Sequence, residues 1–443
     1  REVSLIAAKM GGSEERKLVT RKQPEMLSLQ GPAWSPDGSR IACAAGVVAG
    51  ADSTMRVLVV NLADGSEQPV GEQTWTTIGQ VAWLGDGSGL LFNGWRRTSA
   101  VYGDQLWLMM FPKGEARRIT NDMTSYEGVS VAADSGTLVS GQTDRISRIW
   151  VLPASNKGKM GEVALDTSRA TQIQSGFGDN YSDRFGFDWM TDGRLVYASH
   201  ASGNLDIWIT NADGKEQRQL TRDTLTDVMP ATSADGRYIV FLSERSGVGN
   251  IWRMDADGGN PKQLTHGKGD SYPVVMPDGR WVVYSSLSNS KPTLWKVPID
   301  GGEPVQLAEW VGIPITHPAV SPDGKLLACQ YQDEKDGKLK VAVVPFDGGE
   351  LKPIENLPLN MPQPEFGLFR WSPDGRSLTY IVTRQGVSNL WSKSIDGSEP
   401  KQLTDFTADQ IFRFAWSRDG TALACERGVT INEVVLLRSG KTK

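Results

Sequence analysis

Cysteine is scarce in this sequence, with three residues among 443. Cys43, Cys329 and Cys425 each stand six residues after the aspartate of a repeated motif, an offset that Phe92 and Tyr284 hold in other copies. A position that accepts cysteine, phenylalanine or tyrosine is typical of a buried strand, where a free thiol packs as a small apolar group. We therefore predict packing roles for the thiols rather than disulfide, metal or nucleophile roles, and so few thiols leave the compartment open.

Histidine is equally scarce, and the three residues, His200, His266 and His317, fall at different offsets in different repeats. A serine hydrolase needs a Gly-x-Ser-x-Gly turn with a downstream histidine, and the sequence contains no such turn. The segment 255–258 resembles the start of a calcium loop but lacks the remaining ligands, and a hairpin turn explains it. We predict that the chain is not an enzyme, carries no catalytic or metal-binding residues and needs no cofactor.

Long apolar runs and an excess of one charge are both missing. The longest strongly apolar stretch, 106–112, is too short to span a bilayer, so any membrane link is expected through a segment outside this chain. The formal net charge is −5 and no basic stripe is visible, which argues against nucleic acid as a partner. The chain starts at Arg1 without an initiator Met or a signal peptide, which favours an excised or processed piece.

Glycine, proline and tryptophan are plentiful, with 48, 23 and 15 residues, and many of them belong to one repeat. The clearest copies are 34–38, 371–375 and 416–420, each a Trp-Ser-x-Asp-Gly segment. Counting weaker copies, the motif occurs nine times, and the last of these weaker forms is Asp134-Ser135-Gly136. Most intervals between copies fall within the length of one propeller blade.

Each repeat can be interpreted as two hairpins. A short apolar strand ends at the Asp-Gly turn, where Gly supplies a positive φ, and an alternating apolar strand follows. A third strand carries a Leu-Trp or Ile-Trp pair, a second turn follows, and the fourth strand ends in Leu-Thr, as in 403–404. One such sheet cannot bury both of its faces, whereas stacked sheets can. The sequence therefore predicts an all-β fold, a β-propeller of four-stranded antiparallel blades, about eight or nine in number.

The predicted domain is a single propeller over 1–443. Residues 3–20 look like third and fourth strands, and residues 413–437 supply a first, second and third strand, so pairing of the two ends is expected to close the ring. One third-strand copy is then surplus. The alternative is two partial propellers with a joint near 153–180, where the spacing between motifs is longest.

The motif set Trp-Ser-Pro-Asp-Gly, Leu-Trp, Asp-Gly-Gly and Gln-Leu-Thr resembles the TolB-type, WD-like propeller repeat of bacteria over nearly the whole chain. Segments 291–302 and 409–437 are more closely similar to the C-terminal sensory propellers of bacterial receptor-type Ser/Thr kinases. The resemblance implies a bacterial, periplasmic or extracytoplasmic location and a binding or docking role. No kinase motif is present; 405–407 is only a near match to Asp-Phe-Gly.

The candidate site follows from position within the repeat. The linker from a fourth strand to the next first strand crosses from rim to axis, so its last residues should line one mouth of the central channel. Mixed carboxylates and aromatic rings there suit a protein segment, a peptide or a small ligand. The candidate ligand-binding residues are Asp179, Tyr181, Arg184, Asp227, Asp270, Tyr272, His317, Glu365 and Asp409.

Three functions are consistent with this interpretation. The first is a non-catalytic sensor or binding propeller of a bacterial signalling protein, with a protein, peptide or small-molecule partner. The second is a free-standing periplasmic interaction protein of the TolB type. The third is the propeller of a peptidase or hydrolase whose catalytic domain is absent from this chain.

Overall fold

The structure is a computed structural model that describes residues 2–9, 14–47, 54–96, 103–122, 124–133, 136–156, 163–173, 186–267, 269–286, 293–307, 315–333, 335–336, 338–347, 349–354, 357 and 369–438. Regular structure in these ranges is β-strand, apart from one 3-10 turn at Thr167–Arg169. Within the same ranges, no helix is long and apolar enough to cross a membrane.

The chain divides into two compact units, which are described separately. Unit 1 comprises Arg1–Asp144 with Thr430–Lys443, and unit 2 comprises Arg145–Val429. With strands numbered in chain order, β13 (Thr137–Asn156) and β37 (Ala422–Arg438) each contribute to both units. The first boundary falls N-terminal to the segment 153–180, where the two-propeller alternative places its joint.

Unit 1 contains a hairpin and three larger sheets. Its other strands are β1 (Glu2–Ala7), β2 (Arg16–Lys22), β3 (Glu25–Leu27), β4 (Ala33–Trp34), β5 (Arg40–Val47), β6 (Thr54–Asn61), β7 (Glu67–Pro69), β8 (Thr77–Trp83), β9 (Gly89–Trp95), β10 (Gln105–Met110), β11 (Ala116–Arg118) and β12 (Ser125–Val131). The sheets have the orders β3-β5-β6-β7, with β4 also on β5, then β8-β9-β10-β11, and β12-β13-β37.

Apolar side chains join neighbouring sheets of unit 1. Trp75, Phe92 and Trp107 pack edge to face in the cluster between the first two sheets, with ring centroids 5.0 and 5.7 Å from Trp75. Leu91 and Tyr126 belong to a second cluster between the second and third sheets. These clusters are the aromatic filling between sheets that the repeat predicts.

The predicted pairing of the two chain ends is not found among the described residues. The N-terminal strand β1 pairs antiparallel with β2, which follows it after a short loop, and β37 lies between β13 and β36 (Gln410–Trp416). A short loop costs less closure entropy than a pairing across the whole chain, which favours the local hairpin. The hairpin packs against β5 and β6 through Val19, Cys43 and Leu58.

Unit 2 repeats one sheet pattern. Its remaining strands are β14 (Val163–Leu165), β15 (Thr171–Gln172), β16 (Phe187–Trp189), β17 (Leu195–Ser199), β18 (Asp206–Thr210), β19 (Arg218–Gln219), β20 (Asp227–Thr232), β21 (Tyr238–Ser243), β22 (Asn250–Asp255), β23 (Lys262–Gln263), β24 (Asp270–Val275), β25 (Trp281–Ser286), β26 (Thr293–Pro298), β27 (Val305–Gln306), β28 (Ile315–Val320), β29 (Leu326–Gln332), β30 (Leu339–Pro345), β31 (Lys352–Pro353), β32 (Phe369–Trp371), β33 (Ser377–Arg384), β34 (Val387–Ser394) and β35 (Lys401–Gln402).

These strands form six sheets. Sheet 1 has the order β36-β37-β13-β15, with β14 also paired to β13, and sheets 2 to 6 are β16–β19, β20–β23, β24–β27, β28–β31 and β32–β35, each with its strands in chain order. Neighbouring strands within sheets 2 to 6 pair antiparallel. The predicted all-β propeller of four-stranded antiparallel sheets is confirmed.

Buried clusters join successive sheets of unit 2. Phe187 and Trp189 of sheet 2 pack with Ala415 and Ala424 of sheet 1, and Leu390 of sheet 6 packs with the other face of sheet 1. Further clusters join sheet 3 to sheet 4, sheet 4 to sheet 5, and sheet 5 to sheet 6. Sheets 1, 4, 5 and 6 thus bury apolar side chains against both of their neighbours, as the repeat requires.

The cysteines lie where the repeat predicts. Cys43, Cys329 and Cys425 are free and buried in second strands, with at most 3% of their surface exposed. Burial raises the pKa of Cys43 to about 11 and those of Cys329 and Cys425 to about 12. The prediction of packing positions is confirmed.

Candidate functional site

A cavity of about 520 Å³, called the central cavity here, is lined by the first strands of all six sheets of unit 2. Each of these strands, β16, β20, β24, β28, β32 and β36, contributes its last residues before the Asp-Gly turn. The turns add Pro277, Pro322 and Pro373 at one end. A cavity of this size lies within the range that small-molecule and peptide sites occupy.

The Asp-Gly turn fixes the end of each first strand. In sheet 6, Ser372 Oγ donates to Asp374 Oδ1 at 2.5 Å and accepts from the Ser377 amide at 3.0 Å, while Gly375 has φ of +68°. Ser233 and Ser321 make the same contacts in sheets 3 and 5. Because the turn is the same, the residues just before it take the same positions around the cavity.

The last residues of the first strand both pack against the neighbouring sheet and line the cavity. Trp371 turns to the neighbouring sheet and donates through Nε1 to the Ala319 carbonyl oxygen at 2.9 Å, and Trp189 donates to the Ala415 carbonyl at 3.0 Å. The preceding residues, Arg370 and Asp188, line the central cavity. A charged residue directly before the tryptophan is thus a residue of the cavity wall.

Arg370 is one of the charged residues of this wall. It lines both the central cavity and a smaller adjoining cavity of about 60 Å³, where Arg413, Met229 and Tyr272 also lie. Burial lowers the pKa of the Arg370 guanidinium and the Asp188 carboxylate opposes the shift, but an arginine remains charged in proteins. Its hydrogen bond within the described residues goes from Nη1 to the Phe369 carbonyl oxygen at 3.1 Å.

Asp188 belongs to a hydrogen-bonded group at the turn end of the cavity. Its Oδ2 accepts from the amide and the hydroxyl of Thr232 at 2.9 and 3.0 Å, and its Oδ1 accepts from the Trp189 amide at 2.9 Å. Arg418 Nη2 lies 3.7 Å from Asp188 Oδ2 and donates to Thr232 Oγ1 at 2.8 Å. The group ties sheets 1, 2 and 3 together around the cavity.

A bulge in the first strand places side chains of the smaller cavity. The register of β20 shifts between Val228 and Ala231, and that of β24 shifts between Ser271 and Val274. Within these bulges Met229 has φ of +56° and Tyr272 has φ of +54°. Non-glycine residues rarely adopt this conformation, and such residues concentrate at functional sites.

Of the candidate residues, Tyr272 lines a cavity, whereas Asp227 and Asp270 line neither of the two. Asp227 is fully buried, with Arg245 Nη2 2.7 Å from its Oδ2 and 2.7 Å from Asp223 Oδ2. Burial raises the pKa of Asp227, and the positive charge of Arg245 opposes that shift. Asp227 and Asp270 are the first residues of β20 and β24, and both are buried.

Asp270 is 1% exposed and accepts from the Gly267 amide at 3.3 Å. Burial raises the pKa of Asp270, opposed by its hydrogen bond to Ser286. Asp409 has φ of +67°, and its Oδ2 lies 3.3 Å from Arg427 Nη2. His317 lies within β28, while Asp179, Tyr181, Arg184 and Glu365 lie outside the described residues.

Sequence reasoning missed the arginines of the cavity wall. It took the linker ends as lining, whereas the wall also includes residues inside the first strand. Arg370 stands between Phe369 and Trp371, and Arg413 stands between Phe412 and Phe414. A cationic residue flanked by aromatic residues in a first strand is the signal that points to these positions.

The described residues contain no group of three or more His, Cys, Asp or Glu side chains arranged to hold a metal ion. Burial lowers the pKa of His200, which follows β17, to about 4. A histidine that is neutral through the physiological range and lies outside the two cavities fits a packing role.

Comparison with known proteins identifies related domains. Residues 150–370 match the family described as TolB beta propeller domain. The chain is 30% identical over 129 residues to the uncharacterized peptidase YuxL of Bacillus subtilis, covering 29% of this chain and 18% of that protein. It is 30% identical over 105 residues to Tricorn protease homolog 1 of Streptomyces coelicolor, covering 23% of this chain and 9% of that protein.

Among solved structures, TolB from Acinetobacter baumannii is similar, with a TM-score of 0.44, 15% identity and coverage of 80% of each chain. The matched part spans less than a fifth of the length of either the Bacillus peptidase or the Streptomyces protease homolog.

Proposed function

Since residues 150–370 carry a TolB-like β-propeller domain, we propose that this chain is a non-catalytic binding domain that takes a peptide or a small ligand into the central cavity of unit 2. The observation that carries the proposal is the composition of the cavity wall. Apolar residues such as Pro230, Val274 and Trp371 surround a few charged side chains. Ligand sites typically combine an apolar wall with a small number of fixed polar groups.

The absence of a catalytic motif in the sequence supports a binding role. No Gly-x-Ser-x-Gly turn is present, and the three histidines lie in different repeats. Asp188, which lines the cavity, has both oxygens engaged by Thr232 and Trp189. A carboxylate held in this way orients neighbouring groups rather than acting as a general base. We therefore expect no turnover by this chain alone.

We also propose a location outside the bacterial cytoplasm and a sensory or docking role within a larger signalling protein. The TolB-like repeat supports the location, and the likeness of segments 291–302 and 409–437 to kinase-linked propellers supports the role. A free-standing TolB-type interaction protein would use the same cavity.

A second candidate function is favoured by the comparisons. Two proteins named as a peptidase and a protease homolog align with parts of this chain. The chain would then be the propeller of a peptidase whose catalytic domain lies elsewhere, with the central cavity guiding peptides. Cleavage of peptides by a longer parent protein, but not by this chain, would support this candidate.

The cavity can be tested by filling it. Val274 lines the cavity and pairs with Val283, while Val305 is 46% exposed on β27 of the same sheet. Peptides selected from a random display library against the wild-type chain should bind Val305→Trp normally and Val274→Trp at least about tenfold more weakly. Isothermal titration calorimetry measures the affinities, and thermal unfolding verifies that both variants fold.

The two outcomes differ clearly. Loss of binding in V274W alone places the ligand in the central cavity. Peptides that bind V274W as tightly as the wild-type chain would show that binding occurs elsewhere and would contradict the proposal.

A further inference from the structure

We propose that the ligand of the central cavity carries a carboxylate and that Arg370 binds this group. The inference rests on the proposed function and specifies its ligand class. The sequence alone suited a protein segment, a peptide or a small ligand, and five of the nine candidate residues are carboxylates. The described cavity wall has the opposite balance of charge.

The charged residues that line the two adjoining cavities are Arg370, Arg413, Arg418 and Asp188. Three of these four residues are arginines and one is an aspartate, so the described lining has more cationic than anionic side chains. Low-dielectric walls strengthen the field of such a group, so an anion is attracted into the cavity and a cation is repelled.

The charge of Asp188 acts on Arg370, but the two side chains form no ion pair. Its oxygens accept hydrogen bonds from Thr232 and Trp189, and Arg418 lies 3.7 Å away. Arg370 is half-buried, and the described residues place no carboxylate oxygen within ion-pair distance of it. A charge removed from water without a partner is costly, and a ligand anion would supply that partner.

The position of Arg370 suits the end of an elongated ligand. It lines both the larger cavity and the smaller one, so a group bound to it has apolar wall on either side. Pro230, Pro273 and Pro318, which belong to three neighbouring sheets, line the smaller cavity together with Arg370. A guanidinium offers a planar pair of donors that matches a carboxylate, and the apolar wall accommodates the organic part that carries it.

The test uses N-acetyl-trialanine, its C-terminal amide and inorganic phosphate as probes. The acid and the amide differ only in the anionic group, and phosphate reports an anion without an organic part. The protein variants are Arg370→Met and Arg370→Lys, with Arg376→Met as control because Arg376 is exposed in the adjacent turn. Calorimetry measures the affinities, and the ligand-induced rise in melting temperature gives an independent readout.

The acid should bind the wild-type chain and R376M equally, and R370M at least about tenfold more weakly. R370K should fall between them, because lysine keeps the charge but loses the paired donors. R370M alone should melt no lower than the wild-type chain, since a half-buried charge without an ion-pair partner among the described residues has been removed. The amide should bind the wild-type chain at least about tenfold more weakly than the acid.

Three results would overturn the inference. If the acid and the amide bind equally well and neither binds V274W, the probe enters the cavity but its carboxylate does not contribute to binding. Undiminished binding of the acid to R370M would exclude Arg370. Binding of phosphate without any binding of the acid would indicate an inorganic anion site instead.

Discussion

The indole nitrogen of Trp371 donates a hydrogen bond to the carbonyl oxygen of Ala319 at 2.9 Å, across the boundary between sheets 6 and 5. Ala319 holds the same place in its first strand as Arg370 does in the next, directly before the last residue of the strand. The bond therefore links the packing role of the repeat to the wall of the cavity. Trp189 and Ala415 make the same contact between sheets 2 and 1 at 3.0 Å.

Replacement of Trp371 by phenylalanine should lower the free energy of unfolding by about 1–3 kcal/mol, because the Ala319 carbonyl loses its donor and the ring becomes smaller. Urea unfolding monitored by circular dichroism measures the change. The control is Trp34→Phe, at a tryptophan of the same motif that is 56% exposed and should change stability by less than about 0.5 kcal/mol. Equal effects of the two substitutions would contradict the role of the bond.

Thr404 belongs to the Leu-Thr pair that ends the repeat of sheet 6, and loss of its hydroxyl group should destabilise the protein. Its Oγ1 accepts from the Leu390 amide at 2.9 Å and donates to Asn389 Oδ1 at 2.9 Å. Thr404→Val leaves both groups without this partner and should cost about 1–3 kcal/mol of unfolding free energy. Thr407→Val, at a nearby exposed threonine, is the control and should be nearly neutral. Denaturant unfolding that fails to separate the two variants would refute this assignment.

His200 should make the protein sensitive to acid. Burial lowers the pKa of His200 from 6.5 to about 4, so the unfolded chain binds the proton more readily than the folded chain between these values. The contribution to stability is present above pH 6.5 and is lost as the pH falls through 4, with a total of about 3 kcal/mol. Thermal unfolding as a function of pH measures this loss.

His200→Gln should flatten the stability profile between pH 6.5 and 4. His266→Gln, at an exposed histidine, is the matched control and should leave the profile unchanged. A profile for His200→Gln as steep as that of the wild-type chain would assign the acid sensitivity to other groups.

The fold could be predicted because its signals are local and repeated. The Asp-Gly turn, the third-strand tryptophan and the Leu-Thr pair each have a visible physical role, as the contacts of Ser372 and Thr404 show. Eight motif copies join a first strand to a second strand, and the ninth spans 134–136 between β12 and β13. Pairing of the chain ends could not be predicted in this way, because it depends on the competition between two distant partners for the same strand edge.

The candidate site was harder to predict than the fold. The position of Tyr272 at the cavity follows from its place in the bulge of its first strand, whereas Asp227, at the start of its own first strand, turns into its sheet to meet Arg245. The difference depends on the bulge of the first strand, which sequence pattern does not reveal. Arg370 was overlooked because the alternation of residues along a strand predicts only which face of the sheet a side chain lies on. That this face lines a cavity depends on how the six sheets pack together.

Asp188→Asn should strengthen carboxylate binding in the central cavity if Arg370 holds the anion. The substitution removes the only negative charge among the described lining residues, and this charge acts on the Arg370 guanidinium. We expect N-acetyl-trialanine to bind about three- to tenfold more tightly, an effect that should diminish at high salt. Asp300→Asn, at a carboxylate that is 77% exposed on its side chain, makes the same charge change away from the cavity and should have no effect. Unchanged or weaker binding in the Asp188 variant would mean that the electrostatics of this wall do not govern the ligand.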